Sequence, residues 1–145
     1  MLLLVHTVAG AVIGTSVANP MAGFAIGFVG HLLLDWIPHW NYDIPRKMSI
    51  GEFIRFWPDW ATSPLIYLSF IALNPSEWIS ITSAVIGMLL PDLLTLTRYS
   101  QTLGKLFGRF RTFHEAIQRE VRFTMGIAIQ AAFIFIILGV YIYLY

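Results

Sequence analysis

His31, Asp35, His39 and Asp43 follow one another at intervals of four, at the end of an otherwise apolar stretch that runs from Gly27. Imidazoles and carboxylates are metal-ligand types, and helical residues four apart share a face. A helix that holds to Trp36 therefore points His31 and Asp35 the same way. Pro38 disfavours helical geometry at Ile37, so His39 and Asp43 should lie on the chain that leaves the helix. Ligand types recur at His6, at Asp92 behind Pro91, and at His114. With no cysteine in the chain, thiolate catalysis, disulfides and Cys-based zinc sites are excluded, and any metal must be held by histidine and carboxylate.

The elements that must position these groups are apolar. The 145 residues are 57% hydrophobic and 12% charged, with a mean hydropathy of +0.71, whereas an ordinary soluble domain is about a quarter charged. The composition points to an integral membrane protein of one domain over residues 1–145, an all-α bundle of about five transmembrane helices plus an amphipathic interfacial helix. The expected spans are residues 2–18, 20–37, 57–73, 78–97 and 123–145, with turns at Asn19-Pro20 and at Asn74-Pro75-Ser76-Glu77. The N-terminus lacks the basic region of a secretory signal and reads as an uncleaved first span. Trp40, Trp57 and Trp60 place the intervening segment at the headgroups, and the final Tyr-Ile-Tyr-Leu-Tyr makes an aromatic belt.

Of nine Lys and Arg residues, three fall between the second and third spans and six between the fourth and fifth. By the positive-inside rule both basic loops are cytoplasmic, which sets the N-terminus inside and the C-terminus outside a cell (inner) membrane. At about 1.5 Å per residue, His6, His31 and Asp35 come to one depth, about 17–23 Å from the outer Asn19-Pro20 turn. Asp92 lies about 15 residues beyond the other outer turn, so it arrives at the same level.

Two rows of small residues lead into the polar groups: His6, Gly10, Gly14 and Ala18 on the first span, and Gly23, Gly27, His31 and Asp35 on the second. Small residues at this spacing allow close helix approach in lipid, so the first two spans should zip together as a hairpin through these faces. Between residues 98 and 122, Leu103, Phe107, Phe110, His114, Ile117 and Val121 recur at three and four. A helix with that pattern lies on the inner leaflet with Arg98, Lys105, Arg109, Arg111, Arg119 and Arg122 among anionic headgroups, and turns His114 back towards the bundle. Membrane lipids are thus the expected partner, and nothing points to nucleic acid.

Ionisable groups within membrane spans cost several kcal/mol unless paired, solvated or bound to metal. The expected ligands are His6, His31, Asp35, His39, Asp92 and His114, around one or two divalent ions: zinc, with manganese or iron as alternatives. Asp35 or Asp92 would serve as general base, and Asp35 could bridge two ions. Plainer roles exist for each: a hydrogen bond within the helix for His31 and Asp35, interfacial polarity for His39 and Asp43, a helix cap for Asp92, a place on the border of the amphipathic helix for His114, and a cap of the third span for Asp59. Three functions compete: a membrane hydrolase acting on a lipid-borne ester or phosphoester, a metal-ion or proton transporter, and a non-enzymatic scaffold. Towards the outer side the spans offer only Thr15, Ser16, Ser80, Thr82 and Ser83, which favours a one-sided site over a conduit.

With its early His6, its Gly30-His-Leu-Leu-Leu-Asp35 segment and its Pro91-Asp92 at the end of a span, the chain resembles bacterial inner-membrane metal-dependent hydrolases of the YdjM type. The resemblance covers about a third of the sequence. No His-Arg-Gly-x-Thr-His-Ser segment is present, so the chain is similar to a small, divergent member. The resemblance implies a membrane-embedded hydrolase that uses a divalent metal, with phospholipids or related phosphoesters as substrates.

Overall fold

Local signals set the helix ends. In a computed structural model that describes residues 1–42 and 47–145, the Asn19 side chain accepts from Met21 N and Ala22 N, Pro20 occupies the first helical position, and α2 runs Pro20–Asp35. Trp36 caps it, as the position of Pro38 requires. Before it stands α1, Leu3–Ser16. A capping box of Ser49 and Glu52 starts α3, Ile50–Leu73, seven residues ahead of the expected 57. After a 3₁₀ turn at Pro75–Glu77 come α4, Trp78–Thr95, and a second 3₁₀ turn, Leu96–Tyr99. Then follow α5, Gln101–Leu106, α6, Gly108–Ile117, and α7, Phe123–Leu144.

The described residues are all-helical apart from one bridge between His39 and Glu120. The single amphipathic helix expected over 98–122 is broken into α5, α6 and an extended 118–122 stretch. The extended part pairs its backbone with the segment after α2: His39 N donates to Arg119 O at 3.0 Å and Val121 N to His39 O at 2.9 Å.

Among the described residues only two stretches are long and apolar enough to cross a bilayer, Pro75–Tyr99 and Phe123–Leu144, where five were expected. With 14 and 16 residues, α1 and α2 measure about 21 and 24 Å, short of a hydrocarbon core of about 30 Å. The third helix is long, but Glu52, Arg55 and Asp59 interrupt its apolar character.

The glycine rows pack as small-residue interfaces, but not against each other. Gly10 and Gly14 lie on Val85 and Ile81, Gly23 and Gly27 lie on Ala84, and Gly87 meets Phe24, so α4 runs between α1 and α2 and receives both. The expected α1–α2 zipper is therefore replaced by two interfaces on α4. The reason is that α4 brings its own small residues, Ala84 and Gly87, to the same depth. A methyl group added at Gly27 would collide with the Ala84 carbonyl. Two apolar clusters fill the rest: Met1, Val5, Ala9, Leu34 and Met88 at the end that carries the ligand-type residues, and Ala11, Phe70, Ile81 and Val85 at the other. Helix α7 closes both clusters with Ile134 and Leu138, yet buries only Gly126 and Gln130 of its 22 residues.

Candidate metal centre

Each functional side chain arrives from a different part of the chain: His6 from α1, His31 and Asp35 from the last turn of α2, Asp92 from α4 and His114 from α6. His39 comes from the segment after α2 that the 118–122 stretch holds in place. His6, His31, Asp35, His39 and His114 are fully buried, and Asp92 keeps 34% of its side chain exposed. The four residues placed at one depth, His6, His31, Asp35 and Asp92, thus meet, and His39 and His114 join them. Asp43 lies outside the described residues.

The innermost contacts are those of atoms sharing one point. His31 Nε2 and His114 Nε2 are 2.9 Å apart. Asp35 Oδ2 stands 3.1 Å from the first and 3.0 Å from the second. Asp92 Oδ1 stands 3.6 and 3.8 Å from the same two nitrogens. Four ligands at zinc-like distances of about 2.0–2.1 Å in a tetrahedron would stand about 3.3 Å from one another. The observed separations bracket that figure.

Hydrogen bonding decides which atoms carry lone pairs. A carbonyl can only accept, so the 2.5 Å contact between His31 Nδ1 and Met88 O puts the proton on Nδ1. With a single ring proton held there, the lone pair of Nε2 turns towards a carboxylate oxygen, which also only accepts. Such a pair at 3.1 Å requires a cation between its members. A proton would serve two of the atoms. Four donors converging on one place fit a metal ion better, and the backbone carbonyl behind His31 is the usual support of a metal-bound imidazole. His31, Asp35, Asp92 and His114 are therefore a group that could hold a metal ion.

His6 stacks on His31, ring centroids 4.0 Å apart, with Nε2 3.3 Å from Asp35 Oδ1. His39 donates from Nδ1 to Ile37 O at 2.8 Å and aims Nε2 at Asp35 Oδ1 across 3.9 Å. Burial holds the His39 imidazole below its ordinary pKa and so keeps that ring neutral. The amino group of Met1 is 3.2 Å from the same Oδ1, and Gln118 donates to Asp35 Oδ2 at 3.3 Å.

Other positioning groups act far from where the sequence suggested a role. Asp59 was expected to cap its own helix; instead it sits inside α3 and accepts from Leu3 N at 2.9 Å and Leu4 N at 2.8 Å, capping α1 across the bundle. Tyr42 Oη donates to Asp59 at 2.6 Å, and Trp60 donates to Tyr42. Burial, then the hydrogen bond to Asp59, pushes the Tyr42 phenol far above its ordinary pKa, so it stays a donor. Gln130 accepts from Leu2 N at 2.8 Å and donates to Trp40 O at 2.9 Å. It is the one amide side chain in the apolar stretch 123–145, and that isolation was its sequence signal.

A cavity of about 960 Å³ opens beside the centre, with Asp92 and His114 in its wall. Leu89, Leu93 and Leu96 form an apolar side, and Asn41, Arg98 and Gln118 a polar one. Lys105, Arg109, Arg119 and Arg122 are exposed; Arg119 stacks on Trp36 and Arg111 pairs with Glu115 at 3.7 Å.

Compared with known proteins, the chain matches no family model, no curated protein and no solved structure.

Proposed function

We propose that the chain is a multi-pass membrane hydrolase that holds a divalent metal, zinc before manganese or iron, and cleaves a lipid-borne ester or phosphoester near the cytoplasmic face. The observation that carries the reading is the meeting of His31, Asp35, Asp92 and His114 donor atoms beside a half-apolar, half-polar cavity. The resemblance to the YdjM-type hydrolases rests on some of the same residues and agrees with it.

Membrane embedding is supported by α7, whose apolar side chains are left at the surface: Phe135 is 75% and Ile142 75% exposed. Water would penalise so large an apolar face, and lipid would not. In this reading α1, α2 and α3 enter the bilayer with α4 and α7 as one bundle, and their polar ends gather at the inner headgroups. The basic residues of 98–122 lie among anionic phosphates.

A divalent ion in this place supplies Lewis acidity and acidifies water. The residues divide the remaining work. Asp35, buried and held by Gln118, keeps the ligand geometry fixed. Asp92, the one ligand carboxylate that reaches the cavity, takes the proton from the attacking water. Leu89, Leu93 and Leu96 bind the apolar part of the substrate, and Arg98 faces its anionic part. The hydroxyls of Thr15, Ser16 and Thr82 are spent on carbonyls of their own helices, and Ser80 on Ala18 O. They form no ligand path to the outer side, which supports a site over a transporter.

The test is hydrolysis of fluorogenic phosphoester and carboxyl-ester lipids by purified protein in detergent. Activity should vanish with a chelator, return with zinc and fall at least a hundredfold in Asp92→Asn. Turnover unaffected by chelation or by that substitution overturns the reading.

A further inference from the structure

The outer atoms of the two carboxylates and two of the histidines are unused by the centre described above. Asp35 and Asp92 each present one oxygen, Oδ2 and Oδ1 respectively, to His31 and His114. Their other oxygens face His6: its Nε2 is 3.3 Å from Asp35 Oδ1 and 4.0 Å from Asp92 Oδ2. His39 Nε2 approaches Asp35 Oδ1 from another side.

These nitrogens are in an unusual state. His6 and His39 are both completely buried, and among the described residues neither Nε2 has a hydrogen-bond partner. For His39 the proton is assigned: Nδ1 donates to Ile37 O, so Nε2 bears a lone pair and directs it at a carboxylate oxygen. This repeats the arrangement at His31, where an imidazole lone pair faces a carboxylate oxygen. A buried polar atom without a partner costs about 1–3 kcal/mol, and here two are aimed at one carboxylate edge. The Met1 amino group bonds to Asp35 Oδ1 but to neither imidazole. It therefore leaves both nitrogens without a partner.

We propose that the cluster holds a second divalent ion between His6 Nε2, His39 Nε2 and Asp35 Oδ1, so that Asp35 bridges two ions and Asp92 Oδ2 stays free to act as the base. The inference rests on the reading of His31 and His114 as ligands of a first ion. Carboxylate-bridged pairs stand about 3.5–4 Å apart and clamp the attacking and leaving oxygens of a displacement on phosphorus. The substrate class this favours is the phosphoester rather than the carboxyl ester.

Metal counting on purified protein, loaded with zinc in detergent and washed, tests the proposal. Two zinc ions per chain are expected in the native protein and one in His39→Gln and in His6→Gln; retention of that one ion shows that the variant is folded. A manganese-loaded sample should show an exchange-coupled electron paramagnetic resonance signal that becomes uncoupled in His39→Gln. One ion per chain in the native protein, or two retained in both variants, overturns the second site and leaves the first standing. No ion at all overturns both.

Discussion

Asp59 accepts the backbone N–H of Leu4 at 2.8 Å, so a carboxylate buried in the middle of one helix caps the start of another. Its second oxygen takes Leu3 N and the Tyr42 hydroxyl. The acid thereby fixes the first turn of α1, which carries His6 to the centre. Removing both acceptors exposes two N–H groups to an apolar interior, so Asp59→Ala should cost about 2–4 kcal/mol, above an ordinary surface cap. Asp59→Asn keeps one oxygen and should cost less. Unfolding in mixed micelles ranks the variants, and equal stability of the alanine variant and the native protein would remove Asp59 from this role.

The contact of Gly27 with the Ala84 carbonyl sets how near α2 stands to α4. Because the obstacle is backbone rather than a flexible side chain, Gly27→Ala must push the helices apart, at about 1–3 kcal/mol. The same displacement moves His31 and Asp35, one and two turns further along the helix. Zinc affinity and thermal stability should therefore fall together. A loss of stability with metal affinity unchanged would show that the α2–α4 distance does not govern the centre.

Asp35 contacts His31, His114 and His6 within 3.3 Å and is the common element of the cluster. Asp35→Ala should abolish metal uptake while leaving insertion intact, as read by metal analysis beside extraction from membranes. It should also leave the buried Met1 amino group and the Gln118 amide without their acceptor, so the metal-free variant should be less stable than metal-free native protein by about 3–5 kcal/mol. Full metal occupancy in Asp35→Ala would end its assignment as a ligand.

The absence of cysteine makes the orientation directly accessible, because a single introduced thiol is the only one to react. Ser76→Cys, in the turn before α4, should be labelled from outside intact cells by a membrane-impermeant maleimide. Thr102→Cys, in α5, should be labelled only after the membrane is opened. The reverse pattern would invert the topology and place the centre at the outer face.

From the amino-acid sequence alone, the helical nature of the chain, the start of α2 at Asn19-Pro20, its end before Pro38 and the common depth of His6, His31, Asp35 and Asp92 were all legible. These are local properties: caps and prolines act within a turn, and a fixed rise per residue converts position into height along an axis. The residue types of the cluster were equally legible, since in a cysteine-free chain a group that could hold a metal ion must draw on His and carboxylate. Tertiary structure decided the rest. Packing between surfaces distant in sequence turned both glycine rows onto α4 rather than onto each other. It broke 98–122 so that the 118–122 stretch could pair with His39, placed Asp59 and Gln130 over the start of α1, and set Met88 O behind His31. Which helix a face meets, and which backbone carbonyl stands behind a ring, depends on rotation about the helix axis and on the partners available at that height, and neither is written into any local stretch of residues.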